Sequence, residues 1–217
     1  MLTNPNAKRI LLYGDSFVFG KVGGQNKRFD SKTRFSGVLQ DTLGANYDVI
    51  EEGLRARTLS GENGFFADRD RLQQFSPILG SHLPANLVVI MLGTNDFNSK
   101  SSKEPVGVGK DLRAYQKQID EWCEFLEVPM PKVLLVAPPN IKDKYFDDGQ
   151  RAIFGEQAAS KVAELPTGYE KAARGLDWAF FEASKVCEAG SGDGVHLDEA
   201  NNRKLGEALA KNVKGIV

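Results

Sequence analysis

Short apolar runs rich in β-forming residues recur along the chain, and helical patterns separate them. This alternation constrains the fold more than any other feature. The runs are Ile10-Leu11-Leu12-Tyr13, Tyr47-Asp48-Val49-Ile50, Leu87-Val88-Val89-Ile90-Met91-Leu92, Val133-Leu134-Leu135-Val136 and Trp178-Ala179-Phe180-Phe181. The third and fourth are apolar without alternation, as strands covered on both faces are. Phe35, Val38, Leu39 and Leu43 share one helical face, and Gly44 is placed to end that helix. Residues 68–75 read as a charged helix with Leu72 and Phe75 inward. Leu112, Tyr115, Ile119, Trp122 and Phe125-Leu126 form the apolar face of a long helix. Residues 198–213 form a last helix, with Ala200, Leu205, Ala208 and Leu209 inward. No repeat, low-complexity tract or linker interrupts residues 1–217. The expectation is a single α/β domain: a three-layer, flavodoxin-like parallel five-stranded sheet, order 2-1-3-4-5, with helices on both faces.

In such sheets ligands bind beyond the carboxyl ends of the strands. After the first run stands Gly14-Asp15-Ser16-Phe17, and after the second Gly53-Leu54-Arg55-Ala56-Arg57-Thr58. After the third stands Gly93-Thr94-Asn95-Asp96, and before the last helix Gly192-Asp193-Gly194-Val195-His196. Taken singly, each polar residue reads as a turn former or a helix cap. Together they put a serine, an amide, a carboxylate and one of the chain's 2 histidines on one sheet edge. Those are the parts of acyl transfer through serine: nucleophile, base, base orienter and oxyanion donors. Asp15 and Asp96 read as braces of their turns. His82, in Ser81-His82-Leu83-Pro84, reads as remote from the chemistry.

Composition closes other routes. Net charge is −1, so no global positive field draws nucleic acid or an acidic membrane. Two histidines and two widely separated cysteines, Cys123 and Cys187, give no zinc-ligand spacing and no disulfide framework. The thiols read as reduced and partly buried. Met1 to Arg9 lacks an apolar signal core, and Leu87 to Leu92 is too short to span a bilayer, so a cytoplasmic location is expected. The α/β-hydrolase elbow is missing because Val18 stands four positions after Gly14. Gly107-Val108-Gly109-Lys110 is followed by Asp111, which breaks the Walker pattern, and Gly23-Gly24 has the wrong spacing for a dinucleotide turn. Arg55, Arg57, Arg69 and Arg71 form no stripe and read as rim or ion-pair residues.

At the four turns the sequence resembles the GDSL/SGNH hydrolases. Gly14-Asp15-Ser16-Phe17 resembles their first block, Gly93-Thr94-Asn95-Asp96 the third, and Asp193-Gly194-Val195-His196 the fifth. Gly53-Leu54-Arg55-Ala56 departs from the G-x-x-G of the second block, with Ala56 at the second glycine. Val49 to Leu54, Ala56-Arg57-Thr58, Pro138-Pro139 and Asp198 to Arg203 are similar to the arylesterase/perhydrolase branch. The resemblance spans residues 9–209 and weakens at 99–106 and 140–173, the segments expected to shape substrate entry. It implies Ser16 as nucleophile, His196 as base and Asp193 as its orienter. It implies an oxyanion hole from the N–H of Ser16, the N–H of Ala56 and the side-chain amide of Asn95. It implies a serine esterase for short-chain carboxylic esters, able to pass the acyl group to alcohols. No cofactor or metal is called for, and a homo-oligomer is expected. The alternatives are a carbohydrate O-acetyl esterase, a lysophospholipase or thioesterase of the same fold, or an idle flavodoxin-like binding protein.

Overall fold

The computed structural model describes residues 4–68 and 71–217. Strands β1 (Lys8–Gly14), β2 (Tyr47–Gly53), β3 (Leu87–Met91), β4 (Lys132–Ala137) and β5 (Ala179–Glu182) form one parallel sheet. Its order is β2-β1-β3-β4-β5, the flavodoxin-like order expected. Each apolar run supplies one strand. β3 is buried at every residue and β4 at all but Lys132, whereas the edge strands β2 and β5 are only half-buried.

Alternate strand residues feed two separate cores, because successive side chains leave opposite faces. Ile10, Leu12, Val89 and Val136 pack under α1 (Ser16–Phe19), α2 (Phe35–Leu43) and α7 (Glu199–Ile216). Leu11, Tyr13, Ile90 and Leu135 pack under α3 (Arg71–His82), α4 (Val108–Leu126) and α6 (Ala158–Gly175). A shorter helix, α5 (Asp148–Phe154), adds Phe154 to this second core. The register brings three loops together. Gly14 lies opposite both Gly53 and Met91, so three strands end level and the loops after them are neighbours.

Helices α1, α5 and α6 have no counterpart in the sequence reading, and the helices it named differ from it in three places. First, α3 continues to His82 through Pro77. Asp68 stands outside it with a φ of 55°, and Arg69 and Asp70 lie outside the described residues. Polar Ser76-Pro77 hides the continuation, but packing overrides it. Leu79 is fully buried, Ser76 Oγ accepts from Trp122 Nε1 at 2.9 Å, and a Cβ on Gly80 would meet the Trp122 ring at 2.5 Å. Second, Phe125 and Leu126 are exposed. The inward stripe of α4 runs Leu112, Tyr115, Ile119, Cys123, and Phe125 lies about 200° around the helix from Cys123. Third, Ala200 is exposed and Ala208 half-buried, because Asn202 takes an inward position of α7. Its Oδ1 accepts from Phe35 N at 3.0 Å, serving the uncapped start of α2, while its Nδ2 donates to Asp198 O at 2.9 Å. Among the described residues no helix is long and apolar enough to cross a membrane.

Candidate active site

Ser16 opens α1 directly after β1. Asp15 caps that helix: its Oδ1 accepts from Phe17 N at 2.9 Å. The cap turns the chain sharply and presents the Ser16 side chain at the sheet edge. From the far end of the sequence, residues 186–198 return over the same edge. Gly190 N donates to His196 O at 2.9 Å, and Lys142 N donates to Gly194 O at 2.7 Å, so the loop is closed on itself and tied to the β4 loop.

Three side chains meet there. Ser16 Oγ is 2.9 Å from His196 Nε2, although 180 positions separate them in sequence. His196 Nδ1 is 2.7 Å from Asp193 Oδ2. A carboxylate only accepts, so Nδ1 carries the proton and Nε2 is left to accept from the serine hydroxyl. Asp193 is nearly sealed from solvent at 1% exposure and is heavily supplied with donors. Its Oδ1 accepts from the N–H of Val195 and of His196, and its Oδ2 from Gly24 N at 3.1 Å. Lys21 Nζ lies 3.5 Å away. Burial pushes the Asp193 carboxyl upward, but the ring and backbone donors of His196 and Val195 outweigh it and hold it well below the usual carboxylate range. Burial pulls His196 below its ordinary 6.5; Asp193 opposes this, and the charges of Lys21 and Arg55 add to it.

Asn95 stands in a 3-10 turn, Thr94–Phe97, after β3. Its Nδ2 donates to Asp15 Oδ2 and to Arg57 O, each at 3.1 Å. Both amide hydrogens therefore have acceptors within the protein. Burial pushes the Asp15 carboxyl up to about 7, against the lowering effect of the Phe17 N–H and of Arg57. Ala56 sits at a φ of 63°, the left-handed region that a glycine would occupy at less cost. Asn63 Nδ2 donates to Ala56 O at 2.9 Å and helps to hold that turn. Asp96 does brace its loop: it accepts from Leu59 N at 2.6 Å and from Lys103 Nζ at 2.7 Å.

Ser16, Ala56, Asn95 and His196 line one cavity of about 370 Å³. Phe66, Ile153, Phe154 and Val195 supply apolar walls, and Lys21, Arg55 and Gln150 supply polar ones. Gln150, Ile153 and Phe154 belong to 140–173, the segment expected to shape entry. Residues 99–106 do not line this cavity; Lys103 acts behind it, on Asp96. Sequence reasoning missed Lys21 and Phe66 altogether. It also misplaced Arg57, which is buried rather than at the rim: its Nη1 donates to Gly14 O at 2.9 Å and to Glu52 O, and its guanidinium covers the Tyr13 ring at 4.1 Å. His82 stays outside the site, 2.9 Å from Glu52 Oε1. Cys123 and Cys187 are free and buried. Among the described residues no group of three or more His, Cys, Asp or Glu could hold a metal ion.

The GDSL-like Lipase/Acylhydrolase family matches residues 12–204. The native aryl esterase of M. smegmatis superposes with a TM-score of 0.92 at 35% identity, over 97% of this chain and 100% of that one. Its inhibitor-bound form gives 0.91 at 35% identity, with the same 97% and 100% coverage. Est24, a carbohydrate acetylesterase from Sinorhizobium meliloti, gives 0.91 at 31% identity, over 97% and 100% of the two chains. No curated protein matches the chain by sequence.

Proposed function

The chain belongs to the GDSL-like lipase/acylhydrolase family and is an ester hydrolase, and from that premise we propose that it works through Ser16 on small carboxylic esters with short acyl groups. The observation that carries this reading is the unbroken relay from Ser16 Oγ through His196 to Asp193, opening into a cavity of about 370 Å³.

Ser16 Oγ attacks the ester carbonyl carbon while His196 Nε2 takes its proton. Asp193 holds the ring in the required tautomer and offsets the imidazolium charge. The negative oxygen is held by the N–H of Ser16, the N–H of Ala56 and the Asn95 amide. One Asn95 hydrogen then leaves its present acceptor, Asp15 or Arg57 O, for the oxyanion. Collapse breaks the bond to the alcohol, which leaves with the proton from His196. Water, or a second alcohol, gives a proton to His196 and attacks the acyl-Ser16 carbonyl. The second tetrahedral intermediate then collapses: the bond to Ser16 Oγ breaks, the acid or new ester leaves, and His196 returns its proton to Oγ. The small volume of the cavity, about 370 Å³, supports short acyl groups, and the likeness to Est24 supports acetyl esters of carbohydrates among them. Resemblance to the arylesterase/perhydrolase branch supports a homo-oligomer. Two unbridged cysteines fit a reducing compartment, so we place the protein in the cytoplasm.

A panel of p-nitrophenyl esters from acetate to palmitate, run on wild type and on Ser16→Ala, tests the reading. Acetate should be turned over fastest, and Ser16→Ala should lose on the order of 10³-fold or more in kcat. Faster turnover of palmitate would contradict the acyl preference. A Ser16→Ala enzyme within about tenfold of wild type would contradict the nucleophile.

A further inference from the structure

Residues 99–106 were expected to shape substrate entry and do not line the cavity, yet two neighbours in that segment grip two of its apolar walls from outside. Lys100 Nζ donates to Gly64 O at 2.8 Å and lies over the Phe65 ring, 4.1 Å from its centroid. Gly64 has a φ of 79°, and a Cβ there would meet Lys100 Cβ at 3.1 Å, so the two segments lie directly against each other. Phe66, the next residue along, is one wall. Ser99 takes hold of the other: its N–H donates to Ile153 O at 2.7 Å and its Oγ to Ala152 O at 2.8 Å. Ile153 and Phe154 line the cavity there.

This strap is itself rooted at the site. Asn98 is 3% exposed; its Nδ2 donates to Asn95 O at 2.9 Å and its Oδ1 accepts from Lys100 N at 3.0 Å. Further along, Lys103 Nζ donates to Ser60 O at 2.5 Å and to Ser60 Oγ at 2.6 Å, which fixes the start of the loop that carries Phe66. The two walls need the strap unequally. Phe154 is buried and packs on Phe146, with ring centroids 5.8 Å apart, so core contacts hold its wall. Phe66 is 46% exposed. Its own burial does little to keep it in place, and its position rests more on the contacts of its loop.

We propose that Ser99 and Lys100 are positioning residues for substrate size: the strap ties the Phe66 wall to the Ile153–Phe154 wall and so limits the acyl group that fits beside Ser16. The proposal rests on the reading of Ser16 as nucleophile and deepens the short-acyl preference by naming what enforces it. A wall that cannot yield rejects extra methylenes, and a wall that yields admits them. Simple bracing of the fold would affect short and long esters alike.

The test measures kcat/KM for p-nitrophenyl acetate, butyrate and hexanoate in wild type, Lys100→Ala, Ser99→Ala, the double variant and Lys100→Arg. The hexanoate-to-acetate ratio should rise about threefold in Lys100→Ala and about tenfold in the double variant. Ser99→Ala alone should move it less, because its backbone N–H still serves Ile153 O. Lys100→Arg can donate to Gly64 O and cover the Phe65 ring, so it should keep the wild-type ratio. Hydrogen exchange followed by mass spectrometry should quicken over residues 61–66 in Lys100→Ala. An unchanged ratio in the double variant would overturn the proposal, as would unchanged exchange over 61–66, or a rise in Lys100→Arg equal to that in Lys100→Ala. The readings beneath it fail separately. Hydrolysis that survives Ser16→Ala counts against the nucleophile. A wild type that already prefers hexanoate counts against the short-acyl preference and the strap together, whereas a short-acyl preference that the double variant keeps counts against the strap alone.

Discussion

Asn95 shows how much one side chain is asked to do. As a turn residue it would tolerate aspartate, since both form Asx-turns. In the structure its amide bridges the Asp15 carboxylate and the Arg57 carbonyl, two acceptors. An aspartate there would be an acceptor facing acceptors and would lie against the developing oxyanion as well. Asn95→Ala should cost about 10²–10³ in kcat with KM little changed, and Asn95→Asp should cost more. Near-normal kcat in Asn95→Asp would show that the oxyanion is held elsewhere. The base makes a second prediction. His196 must be neutral to accept the serine proton, and burial, with Lys21 and Arg55, holds it below 6.5 while Asp193 opposes. The acidic limb of kcat/KM should therefore have its midpoint below 6.5. Lys21→Gln removes a charge that disfavours imidazolium, so the limb should move to higher pH. A limb that moves to lower pH would contradict the assignment. The four polar residues that meet here were legible in the sequence because Ser16 and Asn95 follow strands at glycine-marked turns and Asp193 and His196 stand in a glycine-marked turn before the last helix. Lys21 was not: only the folded chain brings it beside Asp193, and Gly23-Gly24 gave no hint that Gly24 N would serve that carboxylate.

At the scale of elements, strands read better than helix ends. The buried strands β3 and β4 announce themselves as unbroken apolar runs, whereas α3 continues through Ser76-Pro77 only because α4 packs on it. The inward Asn202 was illegible for a related reason. A polar residue is read as solvent-facing, yet here it supplies the acceptor that the start of α2 lacks. The loop carrying Asp193 and His196 depends on Gly194, whose φ is 73° and where a Cβ would collide with Lys142 O. That oxygen is backbone and cannot swing aside. Gly194→Ala should cost roughly 1–3 kcal/mol of stability from the strained backbone alone. It should also displace the relay, with kcat falling more than KM changes. Urea unfolding and steady-state kinetics on the same preparation check both. Wild-type stability and kcat in this variant would show that the loop has more freedom than its contacts imply.

For the whole molecule, the alternation of strands and helices foretold a parallel sheet with helices on both faces, because parallel strands need crossovers; the strand order is not written in the alternation, and the flavodoxin-like order expected for such a sheet is the one found. The two cores follow from the alternation of side chains along each strand and the level strand ends from the register, and those ends put the site where it is. Assembly is a property of surfaces, which the alternation does not address. Light scattering should return a mass that is a multiple of the chain's own, and a monomeric mass would show that the homo-oligomer does not hold. The central claim, that Ser16 is the nucleophile activated by His196, is tested most directly by covalent capture. Wild-type protein treated with a fluorophosphonate should gain one adduct by intact mass, mapped by peptide sequencing to Ser16. The adduct should be absent in Ser16→Ala and form far more slowly in His196→Ala. An adduct on a different serine that abolishes ester hydrolysis, or full hydrolytic activity with Ser16 modified, would contradict it.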